Sequence, residues 1–193
     1  MDGFDHGKKL HKMGSHGHDT AELSFSDVFV PEENLISGKE GQGFIQLMMN
    51  LPLERLSIGV AAAAAAAAAL KRTLEYVLSR EAFGQPIADF QNTRFKLADM
   101  ATTVDVMWAY VDRAMLLYKD QKLTAEEAAK VKFWTTDREA ELLDVGVQLH
   151  GGYGYITEYP IARAYLDARV HRIYGGTNEI MRDIVSRQIV GKR

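Results

Sequence analysis

A mainly α-helical protein with a short β start is the fold class predicted for this chain of 193 residues. Three observations predict it. From residue 43 onward apolar residues recur at helical spacing over three long stretches. Thr124-Ala125-Glu126-Glu127 is a capping box, which fixes a helix start in the middle of the chain. Strand-like alternation is confined to the first 40 residues. Long helices joined by short loops imply an antiparallel up-and-down four-helix bundle.

Taken in order, residues 8–13 are a candidate short strand, and residues 20–30 alternate apolar and polar side chains between Asp19 and Pro31. So few strands cannot make a stable sheet alone. The first helix is predicted from about residue 43 to residue 80, with a break near Pro52. Residues 82–89, with Gly84 and Pro86, read as a loop. The second helix follows to about Gln121, with a stripe of Phe95, Leu97, Met100, Val104, Met107, Trp108, Val111 and Met115. The third starts at the capping box and ends at Gly151-Gly152. A shorter helix is expected from Pro160 toward Arg172, and a last one from Thr177, with Ile180, Ile184, Val185 and Ile189 on one face.

Composition narrows the function classes. Without cysteine there is no disulfide, thiolate nucleophile or thiolate metal site. A net charge of -3 gives no electrostatic footprint for nucleic acid. The first residues are polar and lack the apolar core of a secretory signal. Residues 56–70, with alanine at every position from 61 to 69, are too short and too weakly apolar for a membrane span. They read as a helix segment that packs closely against a neighbour. His6, His11, His16 and His18 cluster loosely near the start, but no further ligand completes a coordination set, so no metal is expected.

Three features could carry chemistry. Tyr174-Gly175-Gly176-Thr177-Asn178-Glu179 puts a flexible glycine turn at a helix N-terminus, where backbone N–H groups are free for an anion. Gln148-Leu149-His150-Gly151-Gly152-Tyr153-Gly154-Tyr155 is a second glycine turn. Glu54 is an acid among aliphatic residues, in Leu51-Pro52-Leu53-Glu54-Arg55-Leu56. If buried, it would have a raised pKa and could serve as a base; a helix-surface ion pair is the other reading. Arg80 and Gln91 bracket a loop, where they either grip a phosphate-bearing ligand or cap helix ends.

In order and spacing these blocks, with Lys12-Met13-Gly14, Asp19-Thr20-Ala21-Glu22-Leu23 and Arg80-Glu81-Ala82-Phe83-Gly84, resemble the C-terminal half of the acyl-CoA dehydrogenases. The wording around Glu54 resembles the long-chain and isovaleryl subgroup. The resemblance covers essentially the whole chain and implies a piece of a longer protein. Residues 1–40 would be the end of that family's middle β domain, and residues 41–193 its C-terminal four-helix bundle. Many members carry the catalytic glutamate directly after the Tyr of the last glycine turn, where this chain has Gly175. The smaller subgroup places it on the first bundle helix, and Glu54 matches that position.

The resemblance therefore implies FAD-dependent α,β-dehydrogenation of an acyl-CoA thioester, with Glu54 as the catalytic base. Substrate would meet Pro52, Leu53, Arg55, Gly175 and Gly176. FAD would be met by Arg80, Phe83, Gln91, Gln148, Leu149, His150, Gly151 and Gly152, and by Thr177, Asn178 and Glu179 at the last helix. A homo-oligomer (dimer or tetramer) and electron-transferring flavoprotein as electron acceptor are the implied partners. The location would be cytoplasmic in a bacterium and the mitochondrial matrix in a eukaryote. The alternatives are a non-catalytic oligomerisation bundle without flavin, and an acyl-CoA or nitroalkane oxidase on the same fold.

Overall fold

The computed structural model describes residues 1–191. It is mainly helical, with four short strands, and contains two compact units, Met1–Asn50 and Leu51–Arg193. In the first unit, β1 (Phe4–Lys9) pairs antiparallel with β2 (Ala21–Phe25), Phe4 opposite Phe25, with an irregularity between His6 and Lys9. The first strand thus lies earlier than the predicted residues 8–13, because the partner of β2 is set by the register of Phe4 on Phe25, whose rings are 5.1 Å apart. Almost every residue of the pair is exposed.

The long helix α1 (Gly43–Ser79) begins in the first unit and runs through Pro52 without the expected break. Among the described residues there are five helices, α1, α2 (Gln91–Lys119), α3 (Ala125–His150), α4 (Pro160–Ala168) and α5 (Asn178–Val190), and α4 is the shorter helix expected from Pro160. Thr124 caps α3, its hydroxyl accepting from the Glu127 N–H at 3.1 Å, as the capping box predicts. Thr177 caps α5 in the same way, through Ile180 N–H.

The second helical unit is organised around α3, which packs on α2, α4 and α5. It meets α1 where Gly59 lies against Val131: a Cβ on Gly59 would stand 2.6 Å from the Val131 Cγ1. The core joins Leu56, Ala62, Ala63, Ala66, Ala69 and Val77 of α1 to Met100, Met107 and Val111 of α2 and to Val131, Leu142 and Leu143 of α3. The alanine run thus splits by helical period, with Ala62, Ala63, Ala66 and Ala69 buried and Ala61, Ala64 and Ala68 exposed. The whole of α1 is long and apolar enough to cross a membrane by length and composition alone, a test that a core helix also passes. Its apolar stripe is spent on the core described above.

Two predicted stripes also shift. Phe95 and Met115 of α2 are exposed, and the helix buries Met100, Val104, Met107, Val111 and Ala114. On α5 the anchor is Met181, fully buried, while Ile180 and Ile189 face outward.

Candidate active site

The predicted site residues of the second unit gather at two places, one around each glycine turn. The first is a groove of about 780 Å³ lined by Arg80, Lys96, Gln148, His150, Gly151 and Tyr153, with Gly152 and Leu149 beside them. α1 supplies Tyr76, whose hydroxyl donates to the His150 carbonyl at 3.1 Å and whose ring stacks on the His150 imidazole at 4.2 Å. That bond anchors the end of α3, where a helix leaves carbonyls without partners. His150 is itself buried, and burial pushes its pKa below the ordinary imidazole value. The neutral ring donates Nδ1–H to the Gly146 carbonyl at 2.7 Å. It therefore braces the groove wall rather than reaching out from it.

Gly151 and Gly152 are exposed, and a Cβ added to either would meet nothing within 4 Å. Arg80 lies over the Tyr153 ring, 6.0 Å from its centroid. Of the other residues expected here, Gln91 is exposed at the start of α2 and does not line the groove. Phe83 stands apart too. Residues 81–86 form a two-residue hairpin, β3 (Glu81–Ala82) on β4 (Gln85–Pro86), with positive φ at both Phe83 and Gly84. This is the turn that matches strand twist. It presents Phe83 97% exposed at its tip.

The second place is the turn at Gly175-Gly176, with φ values of +65° and +98°. Here the backbone is pinned from behind. Arg55 of α1, only 7% exposed, donates Nε–H to the Gly175 carbonyl at 3.1 Å. Lys132 of α3, with no exposed surface, donates from Nζ to the Gly176 carbonyl at 2.8 Å and to Asn178 Oδ1 at 2.8 Å. Burial and the neighbouring Arg55 push the Lys132 amine down to about 8, against the pull of Asp137 and Glu179. Asn178, 2% exposed, donates from Nδ2 to Asp137 Oδ1 at 3.0 Å and to Thr136 Oγ1 at 2.9 Å. Its amide is thereby committed within the protein, which leaves Thr177 and the exposed Glu179 as the residues open to a ligand at this helix start. The Glu179 carboxyl is held below its ordinary value by its own backbone N–H and by the Thr177 hydroxyl.

Below Tyr174 lies a third buried group. Glu139 of α3 is fully buried; its Oε2 is 2.8 Å from His171 Nδ1, and its Oε1 has no hydrogen-bond partner among the described residues. Burial pushes the Glu139 carboxyl above the ordinary carboxylate value, only partly offset by His171. The His171 ring stacks on Tyr174 at 5.5 Å.

Glu54 differs from its sequence expectation. It is exposed, and the burial expected of it falls on its neighbour Arg55, because the buried stripe of α1 runs through Arg55, Leu56, Gly59, Ala62 and Ala63. Pro52 is half-buried and Leu53 exposed on the same turn of helix. The structure does join α1 to the glycine turn, through Arg55. Sequence reasoning missed Lys132 and Glu139. The signal was present: both fall on the buried stripe of α3, in helical register with Ala128, Thr135, Thr136, Leu142 and Leu143.

Residues 41–190 match the family described as "Acyl-CoA dehydrogenase, C-terminal domain". The chain belongs to the acyl-CoA dehydrogenase family. It is 47% identical over 190 residues to the mitochondrial long-chain specific acyl-CoA dehydrogenase of Rattus norvegicus, covering 98% of this chain and 44% of that protein. Its fold superposes on the crystal structure of acyl-CoA dehydrogenase from Geobacillus kaustophilus with a TM-score of 0.94, at 44% identity over 98% of this chain and 50% of that one. The Bacillus anthracis acyl-CoA dehydrogenase, solved in complex with FAD, matches with a TM-score of 0.91 at 34% identity, over 98% of this chain and 36% of that one. FAD is the cofactor of the family. The chain thus spans half or less of the length of the relatives it matches, and those relatives include mitochondrial and bacterial proteins.

Proposed function

We propose that the protein containing this chain catalyses FAD-dependent α,β-dehydrogenation of an acyl-CoA thioester, with Glu54 as the base. The observation that carries this reading is the Arg55–Gly175 hydrogen bond. It ties the helix turn bearing Glu54 to the glycine turn that has no acid of its own. The reading also draws on the family and on the exposure of Glu54, which leaves its carboxylate open to a substrate.

The chain's own residues have separable tasks. Glu54 accepts the α proton as the Cα–Cβ double bond forms. Pro52, Leu53, Gly175 and Gly176 line the acyl chain and thioester, and Arg55 holds the two walls together. FAD, when bound, takes the β hydrogen as hydride. One carboxylate suffices, since a second beside it would raise its pKa by like-charge repulsion.

The groove at Gly151-Gly152 fits the phosphate-bearing part of that cofactor. The glycines leave open the space a Cβ would fill, and the Arg80 and Lys96 side chains supply cations at the rim. Gln148, Leu149 and His150 shape its wall, while Phe83 and Gln91 address a cofactor from outside it. Thr177 and Glu179 meet the flavin at the α5 start, with Asn178 holding that start in place. Residues 1–40 act as the end of a β domain and residues 41–193 as a helical-bundle domain. The complete enzyme is a homo-oligomer, dimer or tetramer, that passes electrons to an electron-transferring flavoprotein. The long-chain relative favours a long acyl substrate.

The full-length protein, given a saturated acyl-CoA and an artificial electron acceptor, is expected to form the 2,3-unsaturated product. Hydrogen peroxide formation in air at the same rate would assign it instead to the oxidases. Failure to bind FAD would remove the redox reading altogether.

A further inference from the structure

Lys132 has no role in the reading above, yet it is a fully buried amine that donates to one backbone carbonyl and one side-chain oxygen at the glycine turn. An unpaired ammonium in a protein interior is costly, and a buried lysine is retained only where its hydrogen bonds are made. Both its partners lie in one short segment, the Gly176 carbonyl and Asn178 Oδ1. Gly175 and Gly176 both occupy left-handed backbone, which glycine can also leave freely. Their sequence alone therefore does not select this turn shape.

We infer that Lys132 is the positioning residue of the acyl-site turn: by holding the Gly176 carbonyl and Asn178 together, it fixes the left-handed Gly175-Gly176 backbone opposite α1. The functional meaning rests on the proposed acyl-CoA reading, whereas the positioning itself does not. The charged groups facing the amine come from three elements. Arg55 approaches from α1, Asp137 lies on α3 itself, and Glu179 stands on α5. Arg55 holds the adjoining Gly175 carbonyl, so two cations on different helices share one turn. The lowered pKa of about 8 is consistent with an amine kept in place by geometry rather than by a single carboxylate partner.

The test is amide hydrogen exchange on this chain without flavin or acyl-CoA. The reporters are Tyr174 N–H, which bonds the Val170 carbonyl, and Met181 N–H, which bonds the Thr177 carbonyl. Lys132→Met should speed exchange in residues 174–181 on the order of tenfold or more, as expected for losing a charged hydrogen bond, while residues 100–114 of α2 keep their protection. Equal loss in both segments, or none in the turn, would overturn the inference. Asn178→Ala, which removes one of the two acceptors, should loosen the same segment by a smaller factor; unchanged exchange there would also count against it.

A rescue separates positioning from packing. The chain has no cysteine, so Lys132→Cys can be alkylated uniquely before refolding. Aminoethylation restores an amine at nearly the lysine length, and propylation gives a side chain of the same length with an apolar tip. The aminoethyl form should recover turn protection, and the propyl form should fold with a loose turn. Equal protection in the two, or a propyl form that cannot fold while the aminoethyl form does, would assign Lys132 to packing or to the fold as a whole. Because neither ligand is present, such a failure would leave the acyl-CoA reading standing.

Discussion

The two glycine turns have similar wording and opposite surroundings. At Gly151-Gly152 the backbone is exposed, with empty space where side chains would be, and the support comes from aromatic rings behind it. At Gly175-Gly176 a Cβ would meet Ile58 Cδ1 or Met181 Cε, each at 2.7 Å, and the carbonyls are held by buried cations. On the proposed reading the difference separates two tasks: the open turn makes room for a ligand along its backbone, whereas the pinned turn fixes a wall against which a separate acid works.

The comparison breaks most visibly by adding one methyl group. Gly176→Ala, at φ +98°, is expected to cost about 1–3 kcal/mol of stability, measured by denaturant unfolding. Gly152→Ala has neither positive φ nor a neighbour within 4 Å, so it should stay within about 0.5 kcal/mol. Equal losses would mean that the two turns are held alike.

Tyr76→Phe probes the support of the open turn. Losing the hydroxyl bond to the His150 carbonyl should cost about 0.5–1.5 kcal/mol, with the ring stack retained. A larger loss would show that the open turn, too, depends on polar pinning.

Glu139→Gln sharpens the pinned side through pH. The folded-state pKa of Glu139 is raised above its ordinary 4.5. Folded protein therefore holds a proton that unfolded protein has lost as pH rises past that value, and stability falls through the window. Relative to the wild type, the glutamine variant should gain thermal stability as pH rises from 4 to 7, with the least difference at the acid end. A gap that shrinks instead would mean that the His171 contact outweighs burial.

Much of the fold was legible because the signals were local. Thr124 with Glu127, and Thr177 before α5, are caps whose partners lie within a few residues. The Gly151 stop of α3 is equally local. What escaped depended on contacts distant in sequence. The burial of Arg55 rather than Glu54 turns on a partner 120 residues away, and Lys132 reaches across 44. A charged residue on a buried stripe looks like an error in a helical pattern until the acceptor that satisfies it is known. The early position of β1 was likewise set by register rather than propensity. The positions around both turns were recognisable from their motifs, but which turn was open and which was pinned was not.

The contrast also bears on moving the acid. A glutamate at position 175 must adopt left-handed backbone and displace Ile58. In the full-length enzyme, Glu54→Gly with Gly175→Glu should recover more turnover when Ile58→Ala is added than when Ile58 is kept. No difference would indicate that Ile58 yields without cost.

The central claim is that the wall at Gly175-Gly176 works with an acid from α1. Its most direct test is anaerobic reduction of the full-length flavoprotein by acyl-CoA, comparing Glu54→Gln with the wild type. The variant should retain FAD, seen in its absorbance, and lose about 10²–10⁴-fold in the rate of flavin bleaching, as expected for removal of a general base. A bleaching rate within a few-fold of the wild type would contradict the account and place the base elsewhere.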